Sequence, residues 1–159
     1  MNYLSLFFVL LLLISCNKKT HEFEAQVLAG KVNNEEWILE MGTATLLTKD
    51  SFPDSLSLRL YAESFSNPCD SNLSYTRDYV YTTLPADTGL YTYSFDFISH
   101  RGSYAIFEHQ ATGIRHTAIK GAIEIQEIDT INQFIRGRLD IRYDAKNCIN
   151  GNFQVEYCR

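Results

Sequence analysis

"KGAIEIQEIDTINQFIRGRLDIRYDAKNCINGNFQVEY", residues 120–157, decides the fold. Three runs in it alternate apolar and polar residues. Ile123 and Ile125 alternate with Glu124 and Gln126. Ile135, Leu139, Ile141 and Tyr143 alternate with Arg136, Arg138, Asp140, Arg142 and Asp144. Phe153, Val155 and Tyr157 alternate with Gln154 and Glu156. A side-chain period of two belongs to a strand with one face in a core and the other in water. Ile128 falls out of phase with Ile123 and Ile125, which places a bulge or a strand end near Gln126. Turn formers separate the runs at residues 129–132 and 145–151.

The same signal extends towards the N-terminus. In "LSLRLYAES", Leu56, Leu58, Leu60 and Ala62 share one face, and Ser57, Arg59, Tyr61 and Glu63 the other. "LYTYSFDFIS" puts Tyr91, Tyr93, Phe95 and Phe97 on one side. Turn signals recur at Asn33-Asn34, at 49–53, 67–72 and 85–89, and at Arg101-Gly102. "KVNNEEW" reads as a tight hairpin, because Asn tolerates the positive φ that such turns demand. No stretch carries a capped helical stripe. The expected class is all-β: an antiparallel β-sandwich or a lipocalin-like barrel of about 8–10 strands. The sequence leaves both open.

The N-terminus has a different character. Residues 4–14 form an apolar run of eleven, broken only by Ser5. A membrane-spanning helix needs about 20 such residues; this length suits the apolar region of a secretory signal. The run ends in Leu13-Ile14-Ser15-Cys16, which resembles a bacterial lipobox. In that chemistry the thiol accepts a diacylglycerol, the small residue before it fits the signal peptidase, and the new N-terminal Cys is acylated again. Two or three chains on one residue make a stable anchor, where one holds only marginally. "MNY" departs from the usual signal in having no Lys or Arg. The expected organisation is a cleaved signal at 1–15, lipidation at Cys16, a tether at 16–24 and one all-β domain at 25–159. Asn17 replaces the Asp that retains some lipoproteins at the inner membrane, so the outer membrane is expected. Lys18 and Lys19 favour its periplasmic face over the cell surface.

A formal charge of −5 gives no reason to expect nucleic acid or anionic headgroups as partners. The lipid anchor is the expected membrane contact; the protein or glycan partner stays open. The chain is long enough for a hydrophobic core without a metal, and no cofactor is expected. Of its four cysteines, three remain once Cys16 is acylated, in an oxidising compartment. Cys148 and Cys158 end one extended run, which at about 3.3 Å per residue holds them too far apart to pair. Cys69, in the loop "SNPCDSN", is the natural partner for one of them. Cys148 in its polar turn is favoured, with Cys158 as the alternative.

The order "AGKVNNEEW", "GLYTYSF", "KGAIEIQEID", "IRGRLDIRY" and "NGNFQVEY" resembles a widespread group of uncharacterised small bacterial lipoproteins. Their pattern is a first hairpin ending in Trp, a Gly-x-Tyr strand, a G-x-I-x-I strand, an I-x-G-x-F strand and a final G-x-F strand. The match spans most of residues 25–157. Arg138-Leu139 departs from it, standing where the pattern has a hydroxyl residue and Phe. The resemblance implies an all-β lipoprotein domain and no particular activity.

No hydrolase elbow, zincin motif, Cys-x-x-Cys or phosphate loop occurs in the sequence, and no catalytic residue or metal ligand is assigned. His100, His109 and His116 have spacings that match no standard metal pattern. Glu124, Glu127 and Asp129 face Arg136, Arg138 and Arg142 across a hairpin, where each pair contributes roughly 0.2–1 kcal/mol. That arginine row is also a candidate for an anionic polymer. Tyr75, Tyr79, Tyr81, Tyr91, Tyr93 and Tyr104 suit a ligand surface; Tyr91 and Tyr93, with Trp37, are the candidate contacts. Asp54-Ser55-Leu56 and Asp129-Thr130-Ile131 resemble a bacterial O-glycosylation acceptor at loop–strand junctions, with Ser55 and Thr130 as acceptors. The expected function is an outer-membrane-anchored, non-catalytic β domain for binding or envelope assembly. The alternatives are a small-molecule or glycan binder using the tyrosine-rich face and an envelope hydrolase whose active site is not identified.

Overall fold

The computed structural model describes residues 21–49, 52–70, 75–96, 101–118 and 120–158. Cys16, the signal, residues 16–20 of the tether, Phe97 and His100 lie outside them. The elements are β1 (Ala29–Val32), β2 (Glu35–Ile38), β3 (Met41–Lys49), β4 (Phe52–Tyr61), β5 (Tyr79–Pro85), β6 (Gly89–Thr92), β7 (Ser94–Asp96), β8 (Arg101–His109), β9 (Ile114–Ala118), β10 (Lys120–Asp129), β11 (Phe134–Arg142) and β12 (Cys148–Cys158). They are strands throughout, as the period of two requires. Arg101 and Gly102, read as a turn, instead open β8.

The opening stretch forms a three-stranded meander. β10 pairs β11 with Glu124 opposite Arg138, and β11 pairs β12 with Leu139 opposite Gly151. The register jumps between Ile125 and Glu127, so Gln126 is the bulge. The extra residue returns Ile128 to the inner face opposite Ile135, where it packs against the core. Gly137 sits inside, opposite Phe153; a Cβ there would collide with the Glu124 carbonyl and the Phe153 ring.

The strands run in the order β6–β10–β11–β12–β3–β4–β5–β8–β7, a sheet curled into a half-barrel. The β1–β2 hairpin hangs on β12, and β9 pairs β8. Among the described residues there are twelve strands where about eight to ten were expected, because long segments break. Residues 89–96 split at Tyr93, and a single residue separates β9 from β10. Among the described strands, β12 pairs β3 in parallel, where antiparallel pairing was expected throughout. The cause is the path of the chain. β1 runs antiparallel to β12, β2 reverses β1, and residues 39–40 continue without turning. β3 therefore comes to lie beside β12 in the same direction.

Inward positions follow the alternation read from sequence. Leu56, Leu58, Leu60, Ile123, Ile125, Ile135, Leu139, Ile141, Phe153 and Val155 are buried in one cluster. Tyr143 is the exception at 49 % exposure. It lies just past the end of β11, where its ring stacks on His116 at 4.8 Å between centroids.

A second, smaller cluster lies on the outside. Tyr61 points away from the core yet is buried, because loop residues 62–70 and 75–78 lie over it. Its ring packs against Phe65, Tyr75 and Tyr79 at 5.2, 5.9 and 5.7 Å. The loop is closed at its base by Glu63, which accepts the Thr76 and Arg77 amides and the Thr76 hydroxyl. Partial burial works against the carboxylate, but these hydrogen bonds hold its pKa below the ordinary range. The loop is fastened by a disulfide between Cys69 and Cys158, with Cα atoms 5.4 Å apart.

That bridge corrects the favoured reading, in which Cys69 pairs with Cys148. Cys148 is a free thiol at the far end of β12, between Arg142 of β11 and Lys31 of β1. The parallel β12–β3 contact sets Cys158 beside Thr45, on the wall that the loop crosses. The bridge spans 89 positions, a loop long enough to restrict the unfolded chain strongly. Cys158→Ser, unfolded in urea, is expected to lose about 2–5 kcal/mol, and Cys148→Ser less than about 1 kcal/mol. Equal losses would contradict this connectivity.

Candidate functional site

Two concave surfaces hold the chemistry-bearing side chains. The first is a cleft of about 190 Å³ at one rim of the half-barrel. Asn33 and Asn34, at φ 58° and 68°, give the β1–β2 hairpin the tight turn that its sequence predicts. The hairpin folds over this rim and buries Trp37, whose indole donates to the Asp78 carbonyl at 3.0 Å. Asp78 closes the cleft. Its carboxylate accepts the Gln110 amide at 3.0 Å and the Asn33 side chain at 3.4 Å, and lies 4.0 Å from His109 Nε2. His109 Nδ1 accepts the Thr112 amide at 3.2 Å and faces its hydroxyl at 2.7 Å. Nδ1 thus holds the 109–113 turn together, and Nε2 faces the Asp78 carboxylate beside the hairpin. His116 makes its contact elsewhere, on Tyr143. Among the described residues, no three His, Cys, Asp or Glu side chains are grouped to hold a metal ion.

The second surface is a furrow of about 300 Å³ on the solvent side of β4, β5 and β8. Its register explains it. Arg59, Tyr81 and Ile106 form one cross-strand row; Tyr79 and Glu108 form the next, joined by Arg115 of β9. Thr83 and Tyr104 form a third row. Glu108 binds Arg115 through two hydrogen bonds, at 2.8 and 3.3 Å, which fixes that guanidinium. Tyr81 accepts the Thr83 hydroxyl at 2.8 Å. Arg59 neighbours the Tyr61 hydroxyl. Among the described residues, no carboxylate pairs with it.

The tyrosines therefore divide into groups that the sequence does not separate. Tyr81 and Tyr104 line the furrow, Tyr75 belongs with Tyr61 beneath the loop, and Tyr79 touches both. Tyr93 and Trp37, expected as ligand contacts, are 5 % and 3 % exposed and serve the core. Tyr93 is buried because it joins β6 to β7; its hydroxyl meets Thr82 Oγ1 at 2.9 Å. Tyr91 is half-buried with its hydroxyl donated to the Asp87 carboxylate. Arg59, Ile106, Glu108 and Arg115 were missed. The outward phase of Arg59 and Tyr61 in "LSLRLYAES" was the available signal, but nothing local says which strands lie beside it.

The expected charge pairs form on the β10–β11 hairpin, Arg138 with Glu124 at 2.7 Å and Arg136 with Glu127 at 3.2 Å. Asp129 instead caps the turn, accepting the Ile131 and Asn132 amides. Thr130 sits exposed in that turn. Ser55 is not at a junction: it lies within β4, paired with Leu47 and Pro85 on its two sides.

No protein-family model, curated protein or solved structure matches the chain.

The phenols make a pH prediction. Burial raises the pKa of Tyr61, Tyr79 and Tyr93, and burial with the Asp87 carboxylate pushes Tyr91 up to about 12. Unfolded tyrosines ionise near pH 10. Above that value the unfolded chain releases protons that the folded chain keeps, so stability falls as pH rises. Urea midpoints should hold steady up to about pH 10 and drop beyond it. In absorbance titrations, Asp87→Asn should bring one phenol back towards its ordinary range; an unchanged curve would exclude the Tyr91–Asp87 contact.

Proposed function

We propose that the chain is a lipid-anchored, non-catalytic binding domain of a bacterial outer membrane, with the β4–β5–β8 furrow as its contact surface for a glycan or a similar ring-bearing molecule. The observation that carries this reading is the furrow's composition. A solvent-facing sheet surface is ordinarily polar, yet here Tyr79, Tyr81, Tyr104 and Ile106 lie together between two arginines. Aromatic faces with fixed polar groups around them suit ring-bearing ligands. A carrier holding its ligand inside is less well supported, because large side chains pack together at the inward positions. A hydrolase centred on His109 is less well supported too, because its Nδ1 is taken up by the Thr112 amide and hydroxyl. The anchor reading rests on Leu13-Ile14-Ser15-Cys16 and on the resemblance to small lipoproteins.

Each half has its own test. Cys16→Ala should move the protein from the membrane to the soluble fraction and abolish acylation by mass spectrometry; a variant that stays membrane-bound would defeat the anchor. On a glycan array, the paired change Tyr81→Ala and Tyr104→Ala should weaken binding by about tenfold or more, since about 1.4 kcal/mol is a factor of ten. Its circular dichroism should be unchanged. Undiminished binding by this variant would place the contact elsewhere.

A further inference from the structure

We propose that the β11–β12 wall faces the bilayer that anchors the chain, and that the β4–β5–β8 wall with its furrow points away from it. This rests on acylation of Cys16.

Residues 21–28, of which 21–24 fall in the expected tether, lie along the sheet. Beside β12, the Leu28 amide donates to the Asn152 carbonyl and the Asn152 amide to the Gln26 carbonyl, both at 2.8 Å. Val27 bridges Asn152 in parallel. Gly151 permits this approach: a Cβ there would collide with the backbone of residues 26–28. From there the segment crosses the solvent face of β12. The Asn152 side chain donates to the Ala25 carbonyl at 2.8 Å, and the Asn150 side chain donates to the Glu22 carbonyl at 2.9 Å. The Glu24 amide donates back to Asn150 at 3.0 Å. The described chain ends over β11. The Arg138 guanidinium lies 4.7 Å from the centre of the Phe23 ring, and His21 Nδ1 lies 3.8 Å from Asp140.

The exit point is therefore on the side of the half-barrel, over the outward residues of β11. His21 lies five positions from Cys16, a reach of about 17 Å when fully extended. The furrow is on the far side. From β11 to β5 the sheet runs through β12, β3 and β4 in one direction, and through β10, β6–β7 and β8 in the other. Either route crosses four strand spacings, about 19 Å along the backbone and further over the side chains. Five residues cannot wrap that distance and also reach a bilayer. Two of the wall's arginines are paired, Arg136 with Glu127 and Arg138 with Glu124, while Arg142 stands opposite Lys120. The orientation follows from where the anchor leaves the fold, and the furrow's ligand must come from the side away from the anchoring membrane.

The test uses the full lipidated chain in vesicles carrying a nitroxide at the lipid headgroup. A fluorophore is attached at Gln154→Cys on the β12 wall, or at Thr83→Cys on the β5 wall, each in a Cys148→Ser background. The expected result is several-fold stronger quenching at position 154 than at 83. A lipidated, vesicle-bound chain with equal or reversed quenching overturns the orientation while leaving the anchor standing. A Cys16→Ala chain that still binds vesicles overturns the anchor and the orientation with it. Loss of binding in that variant, with the expected quenching in the parent, supports both.

Discussion

An open sheet leaves two rows of unpaired N–H and C=O groups, each a template for unwanted pairing. Here one short segment serves both ends. β6 pairs β10 through Thr92 and Ala122, β7 pairs β8 through Ser94 and Ser103, and only Tyr93 stands between them. That connectivity is satisfied only if the sheet bends until its ends approach. Tyr93 holds the junction on both sides. Its amide donates to the Gly121 carbonyl at 3.0 Å, and its hydroxyl meets Thr82, which donates onward to the Tyr104 carbonyl at 2.8 Å. A phenol buried this fully would be costly without a partner; Thr82 supplies it.

The curl leaves little room inside. Strands from every part of the sheet send Leu, Ile, Val and Phe into one cluster, and the β1–β2 hairpin adds Val32 and Trp37 at the rim. Interiors packed in this way resist both added and removed volume. Variation that does not disturb the core must therefore sit on the outer surface. The chain uses that surface in two ways. Over Tyr61 of β4, Phe65 and Tyr75 add an aromatic layer, with residues 62–70 fastened by Cys69 and Cys158. On β12 and β11, the N-terminal segment lies down along Asn150 and Asn152.

How far the fold was legible follows from the range of each signal. Alternation is local, and it placed the inward residues of β4, β10, β11 and β12; even the bulge at Gln126 showed as a phase error at Ile128. The turn at Asn33-Asn34 was legible because its residues tolerate its dihedrals. Pairing between distant strands is not written in any window. The parallel β12–β3 contact was invisible, and with it the reason Cys69 meets Cys158. The break at Tyr93 was hidden for a related reason: "LYTYSFDF" alternates without a fault, and only the two partners it must satisfy divide it. The furrow was half legible. Its tyrosines stood out, but grouping them required knowing that β4, β5 and β8 are neighbours.

The two walls obey different rules, and this is the strongest internal argument for where function lies. On β10 and β11 two outward charge pairs match across the hairpin, Glu124 with Arg138 and Glu127 with Arg136, on either side of the bulge, while Lys120 stands opposite Arg142 at its open end. A register slip by one residue would turn those charges inward and the isoleucines out, so the pairs and the core specify one alignment together. On β4, β5 and β8 the outward positions depart from that logic. Arg59 stands opposite Tyr81, and Ile106 faces solvent in the same row. Neither contributes to the inner cluster. Natural sequences break their own local rules mainly where something other than folding selects the residue. The wall with the paired charges carries the chain's exit at Phe23 and His21, and the wall with the tyrosine rows stands opposite.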